Sequence, residues 1–103
     1  HTLNNVMSLF KFQDRIELVM IDDHSRMFTL TKFYKKRYAV GSNISLIPFG
    51  LVKGISTKGL EYELNGEDLE SGMRSGSSNR VLGDGWVEIQ FQEGRLMMME
   101  CWD

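Results

Sequence analysis

Val87-Glu88-Ile89-Gln90-Phe91-Gln92-Glu93-Gly94-Arg95-Leu96-Met97-Met98-Met99-Glu100-Cys101-Trp102 carries the clearest structural signal in the chain. Val87, Ile89 and Phe91 alternate with Glu88 and Gln90, the period of two that puts apolar side chains on one face of a strand. Glu93-Gly94 is turn chemistry. Leu96 to Trp102 then runs apolar on both faces, as expected of a central strand. Working outward, Leu60, Tyr62 and Leu64 alternate with Glu61 and Glu63, which predicts a half-buried strand, and Asn65-Gly66 reads as the turn after it. Ser45 to Phe49 is strand-like, with Pro48 marking a sheet edge or strand end because it lacks an N–H. Leu51 to Ile55 predicts another short strand. Nearer the start, Ile16 to Met20 and Arg26 to Leu30 predict strands on either side of Asp22-Asp23-His24-Ser25, whose short polar side chains bond their own backbone in turns. Leu3, Val6, Met7 and Phe10 recur at helical spacing, with Thr2 as a cap, and predict a helix of two or three turns. Many short strands with regular turns predict a mainly β domain, a sandwich or a barrel.

Composition sets the outer limits. The chain has 103 residues, 42% hydrophobic and 11% aromatic, with a net charge of −2. That excludes a disordered chain and is enough for one core. No apolar run is long enough for a helix to cross a bilayer, and no secretory signal is visible in these residues. One cysteine, Cys101, allows no internal disulfide and no thiolate zinc site, and fits a reducing cytosol. Charge is divided: residues 1–40 carry +3 and residues 41–103 carry −5, and all ten glycines lie in the second part. The chain begins at His1, with the helical pattern directly behind it, as expected of a piece of a longer protein.

Few residues point to chemistry. Asp22, Asp23 and His24 sit side by side on a turn, where neighbours rarely converge on one ion, so a surface turn is the reading. Gly54-Ile55-Ser56-Thr57-Lys58-Gly59 lacks the order of a phosphate loop, and no nucleophile elbow is present. Lys32-Phe33-Tyr34-Lys35-Lys36-Arg37-Tyr38 interleaves bases with aromatics. Charge and stacking there would suit a nucleic acid, but a net negative chain favours an edge strand guarded by lysines. Met97-Met98-Met99 is adaptable core packing, and Cys101 a buried small hydrophobe. Trp86 and Trp102 are expected in the core. If one is a platform for a flat or cationic ligand it is Trp86, which borders Gly83-Asp84-Gly85. The densest polar cluster is Ser75, Ser77, Ser78, Asn79 and Arg80. Its hydroxyls and amide suit a small heterocycle, whereas composition alone favours a solvated turn.

Three segments in order shift that balance: Ser45-Leu46-Ile47-Pro48-Phe49-Gly50, then Gly54-Ile55-Ser56-Thr57-Lys58-Gly59-Leu60-Glu61-Tyr62-Glu63-Leu64, then Gly76-Ser77-Ser78-Asn79 before the final hairpin. Together they resemble the C-terminal domain of thiamine pyrophosphokinase. His1-Thr2-Leu3-Asn4-Asn5 is similar to the end of that family's Gly-Gly-Arg-x-Asp-His stretch. The resemblance implies a thiamine-binding, jelly-roll-like β-sandwich over residues 16–103, preceded at 1–15 by the last helix of an α/β catalytic domain. It implies a cytoplasmic homodimer with thiamine bound across the interface. ATP and Mg²⁺ would be held by acidic residues of the preceding domain, and a diphosphoryl group would pass from ATP to thiamine, releasing AMP. Ser77, Ser78 and Asn79 correspond to the thiamine-contacting loop. Trp86 joins them as a candidate from its own position, and Thr57 and Lys58 are given a structural role. No catalytic or metal residue is expected in this chain, which alone should be inactive. The rivals are a non-catalytic binding module and a dimerisation domain on the same fold.

Overall fold

The computed structural model describes residues 17–71 and 78–102. The expected N-terminal helix, His1, Ser75 and Ser77 lie outside the described residues. Eight strands follow in order: β1 (Glu17–Ile21), β2 (Ser25–Thr29), β3 (Phe33–Arg37), β4 (Asn43–Lys58), β5 (Asn65–Glu70), β6 (Asn79–Arg80), β7 (Trp86–Gln90) and β8 (Glu93–Cys101). Among the described residues there is no helix, and none long and apolar enough to cross a membrane. All pairings are antiparallel in one curled sheet of order β1-β2-β8-β4-β7-β3, with β5 and β6 also on β4. The mainly β expectation holds.

β4 makes this sheet curl. Its residues 43–49 pair with β8, and its residues 51–58 pair with β5 and, at the end, β7. The sequence predicts two short strands here, but they are one strand of 16 residues. Gly50 (φ 77°) and Gly54 (φ 68°) bend it without ending it, at the point where its register against β8 shifts. Glycine at positive φ turns a bulge at no steric cost. Pro48 is therefore inside a strand, paired with Leu96 of β8. On its other flank β6 stops at Ile44 and β5 starts opposite Leu51, so the missing N–H falls where β4 has one described strand partner.

The predicted alternation in the last hairpin is borne out. Val87, Ile89 and Phe91 point inward, as do Leu96 and Met98, and they meet Phe28, Leu30, Tyr34, Ile44, Leu46, Val52 and Ile55 in one core. β8 lies between β2 and β4, the central place its two apolar faces predict. Met98 is core, whereas Met97, Met99 and the free thiol of Cys101 are half-buried. β3 ends the strand order with Phe33, Lys35 and Arg37 exposed, matching the guarded edge. Asp22 closes its turn by accepting the amides of His24 and Ser25, both at 2.8 Å.

Two further expectations fail. Leu60 to Leu64 is not a strand, and Asn65-Gly66 is not the turn beyond one. The chain turns through 59–64 and β5 begins at Asn65. Thr57 explains this: its amide donates to the Leu64 carbonyl (3.0 Å) and its hydroxyl accepts the Leu64 amide (2.9 Å), closing the loop from within. Only Leu60 is buried, and Tyr62 is 63% exposed. Nor are Trp86 and Trp102 core residues, each being 43% exposed. Trp86 is packed instead beneath Lys35 (5.3 Å from the ring centre) and Arg37 (6.0 Å).

Candidate functional site

Residues 59–62 run back alongside 79–82. Leu82 N–H donates to the Gly59 carbonyl and Glu61 N–H to the Arg80 carbonyl, each at 2.9 Å, with Leu60 bridged to Val81 between them. At the next position Tyr62 faces Asn79, whose backbone is in register with Ile44 of β4. Its side chain takes over. Asn79 Oδ1 accepts the Tyr62 amide (2.9 Å), and Nδ2 donates to the Tyr62 carbonyl (2.8 Å). A carboxamide carries a donor and an acceptor like a peptide group, so it continues the ladder by one rung. Oδ1 also accepts the Arg80 amide at 3.1 Å. Buried to 5% exposure, Asn79 keeps one N–H uncommitted by these bonds.

Beside this clasp lies an open pocket of about 300 Å³, lined by Asn43, Glu61, Tyr62, Ser78, Asn79 and Arg80. It offers a carboxylate, a phenol ring, a hydroxyl, amides and a guanidinium. Glu61 and Arg80 are 3.9 Å apart and well exposed, so they bind each other weakly and stay available. Of the residues singled out in the sequence, Ser78, Asn79 and Arg80 come together here; Trp86 does not line the pocket. Tyr62, Glu61 and Asn43 are its unforeseen members. The pattern around Leu60 assigned Tyr62 to a strand's inner face, and only the Thr57–Leu64 closure turns it outward.

A second polar cluster sits between β2, β3 and β8. Glu100, 7% exposed, takes Arg26 Nε at 2.6 Å and Lys36 Nζ at 3.4 Å, and accepts the Tyr38 hydroxyl. Tyr38 has one hydrogen and gives it to Glu100, so Tyr34 donates to Tyr38 across 2.8 Å. Burial pushes the Glu100 carboxyl up, but the bonds from Tyr38 and Arg26 and the charges of Arg26 and Lys36 outweigh it and hold the carboxyl below its ordinary value. Burial, before any other cause, raises Tyr34 to about 12 and lifts Tyr38 far above the usual phenol range. The carboxylate is saturated and the two phenols keep their protons, which suits a brace and not a reaction centre. Among the described residues no set of three or more His, Cys, Asp or Glu side chains is placed to hold a metal ion. They do not fit a Mg²⁺ site.

A profile of the thiamin pyrophosphokinase, vitamin B1 binding domain matches residues 31–96, 66 of the 103 residues. The chain belongs to this family. The match takes in the clasp, the pocket and the Glu100-side strand β3 alike. Among curated proteins, none matches it. Solved structures agree on the fold. The thiamine pyrophosphokinase of Bacillus subtilis superposes with a TM-score of 0.77 at 23% identity, over 98% of this chain and 49% of its own. That of Geobacillus thermodenitrificans gives 0.75 at 25% identity, over 100% of this chain and 48% of its own. A thiamin pyrophosphokinase family protein from Enterococcus faecalis gives 0.71 at 15%, over 98% and 49%. The chain thus spans about half the length of the solved structures it matches.

Proposed function

We propose that this chain is the thiamine-holding half of a thiamine diphosphokinase, which moves a diphosphoryl group from ATP to the thiamine hydroxyl and releases AMP. The observation that carries the reading is the vitamin B1 binding domain match across residues 31–96, the span that contains the pocket. The pocket's chemistry supports it. Thiamine joins an aminopyrimidine, which needs donors and acceptors, to a thiazolium cation, which favours an anion or a π face. Asn43 and Ser78 offer the former, Glu61 and Tyr62 the latter.

In this reading residues 16–103 form the binding domain and 1–15 end the catalytic α/β domain. Ser77, Ser78 and Asn79 make the thiamine loop. Trp86, outside the pocket of its own chain, serves thiamine from the other protomer of a cytoplasmic homodimer. ATP and Mg²⁺ belong to the preceding domain, where positioning and charge neutralisation carry diphosphoryl transfer. The β domain contributes orientation: it holds the hydroxyl of thiamine toward that domain and keeps the cation beside an acid.

The test is AMP release from ATP and Mg²⁺ by the full-length protein, with and without thiamine. Thiamine-dependent AMP is expected, and none from the 103-residue chain alone. A folded full-length protein that releases no AMP would overturn the enzyme reading and favour a non-catalytic binding module.

A further inference from the structure

Asn79 is the residue of the pocket loop most easily taken for a direct ligand of a heterocycle, and its surroundings argue otherwise. Both acceptor sites of Oδ1 are filled, by the amides of Tyr62 and Arg80, and one of its two N–H groups is given to the Tyr62 carbonyl. To turn toward a ligand it would break bonds at 2.8 and 2.9 Å and leave the part-buried Tyr62 amide and carbonyl without this partner. What it holds is exposed: Tyr62 is 63% accessible and lines the pocket, and the Asn79 side chain bonds both its amide and its carbonyl. The Gly59 carbonyl and the Glu61 amide, by contrast, bond the backbone of Leu82 and Arg80.

We infer that Asn79 is a positioning residue: it acts on thiamine through the main chain of Tyr62, fixing that ring as a wall of the pocket, and is not itself a ligand. The inference rests on the thiamine-binding reading of this pocket. It makes the loop 59–64 and the strand carrying Asn79 one unit, so a change at residue 79 is felt at residue 62. The ring then meets its ligand already ordered, which spares the entropy of arranging it during binding.

A double-mutant cycle on the full-length enzyme separates positioning from contact. Asn79→Ala should raise the KM for thiamine by about tenfold and leave kcat within about twofold, because ground-state and transition-state binding are lost together. In the Tyr62→Ala background the same substitution should change KM by less than about twofold, since the group it acts through is gone. Equal, additive effects in both backgrounds would overturn the inference and make Asn79 a ligand. Hydrogen exchange gives a readout without thiamine: the Tyr62 amide should lose protection in Asn79→Ala while the Val87 and Ile89 amides keep theirs. Unchanged protection at Tyr62 would overturn the clasp. Asn79→Ser, which keeps a polar group at the site, repeats the cycle if the alanine variant folds poorly. Wild-type enzyme that ignores thiamine would remove the functional reading first, an outcome distinct from additivity.

Discussion

Glu100 and Asn79 flank the same residue, Ile44 of β4, one on each side in register, and both are buried. Glu100 is charged and meets two cations and a phenol, so its cluster is complete and ties the edge strand β3 to β2 and β8. Asn79 is neutral, meets only peptide groups among the described residues, and supports an aromatic ring that remains open to solvent. A ligand entering the first cluster would have to break charged pairs, at a cost of several kcal/mol. A ligand reaching the second finds a ring, a carboxylate and a hydroxyl with little to displace. Two buried polar residues a strand apart thus do different work: one braces the sheet and the other holds the exposed Tyr62 in place.

The strongest way to break the site side is Gly59→Ala. Gly59 has φ +89°, and a Cβ there would land on the Trp86 carbonyl oxygen. Backbone on both sides of the clash cannot give way cheaply, so unfolding free energy should fall by about 3 kcal/mol or more. Urea denaturation reads it, and a loss below about 1 kcal/mol would mean the loop start is not pinned on β7. Next comes the brace. Glu100→Ala leaves Arg26, Lys36 and Tyr38 without their acceptor. Because Arg26 and Lys36 are 32% and 42% exposed and can rehydrate, the cost should be about 2–3 kcal/mol, under the figure for a fully enclosed pair. The KM for thiamine should stay within about twofold, and a tenfold rise would erase the division between the two clusters.

The smallest effect is a pH dependence that only the brace should show. The folded Glu100 carboxyl is held below its ordinary value of 4.5, so its stabilisation is fully present above that pH. It is lost as pH falls through the lower, folded value. Glu100→Gln removes this titration, so the stability gap between wild type and variant should narrow below pH 4.5 and be flat above it. A gap that widened on acidification would contradict the ionised brace. No comparable dependence attaches to the Asn79 clasp, which has nothing to titrate.

Legibility followed the same divide. The hairpin from Val87 to Cys101 was readable because its alternation reports directly on burial, and the Asp22 turn because its bonds span only two or three residues. β5 was not readable: only Leu69 in it is half-buried, so it shows no alternation and exists because β4 lies alongside. Leu60 to Leu64 misled for the opposite reason, having an alternation that the Thr57–Leu64 closure overrides. In the site, the polarity of Ser78, Asn79 and Arg80 drew notice from composition, but Tyr62 and Glu61 could not be joined to them across 17 residues of sequence.

By itself the sequence determined that this is a mainly β domain, which side chains face its core, and through a few short segments the family to which it belongs. Tertiary structure alone decided that two predicted strands are one, that Trp86 lies outside the core, and that Asn79 spends its amide on Tyr62. The physical reason is range. Periodicity and turn chemistry act over a few residues and are written locally, whereas a polar side chain bonds whatever backbone the fold brings opposite it. Here that partner is chosen by the pairing of β6 with β4, which occupies the main chain of Asn79 and leaves its side chain to complete the ladder.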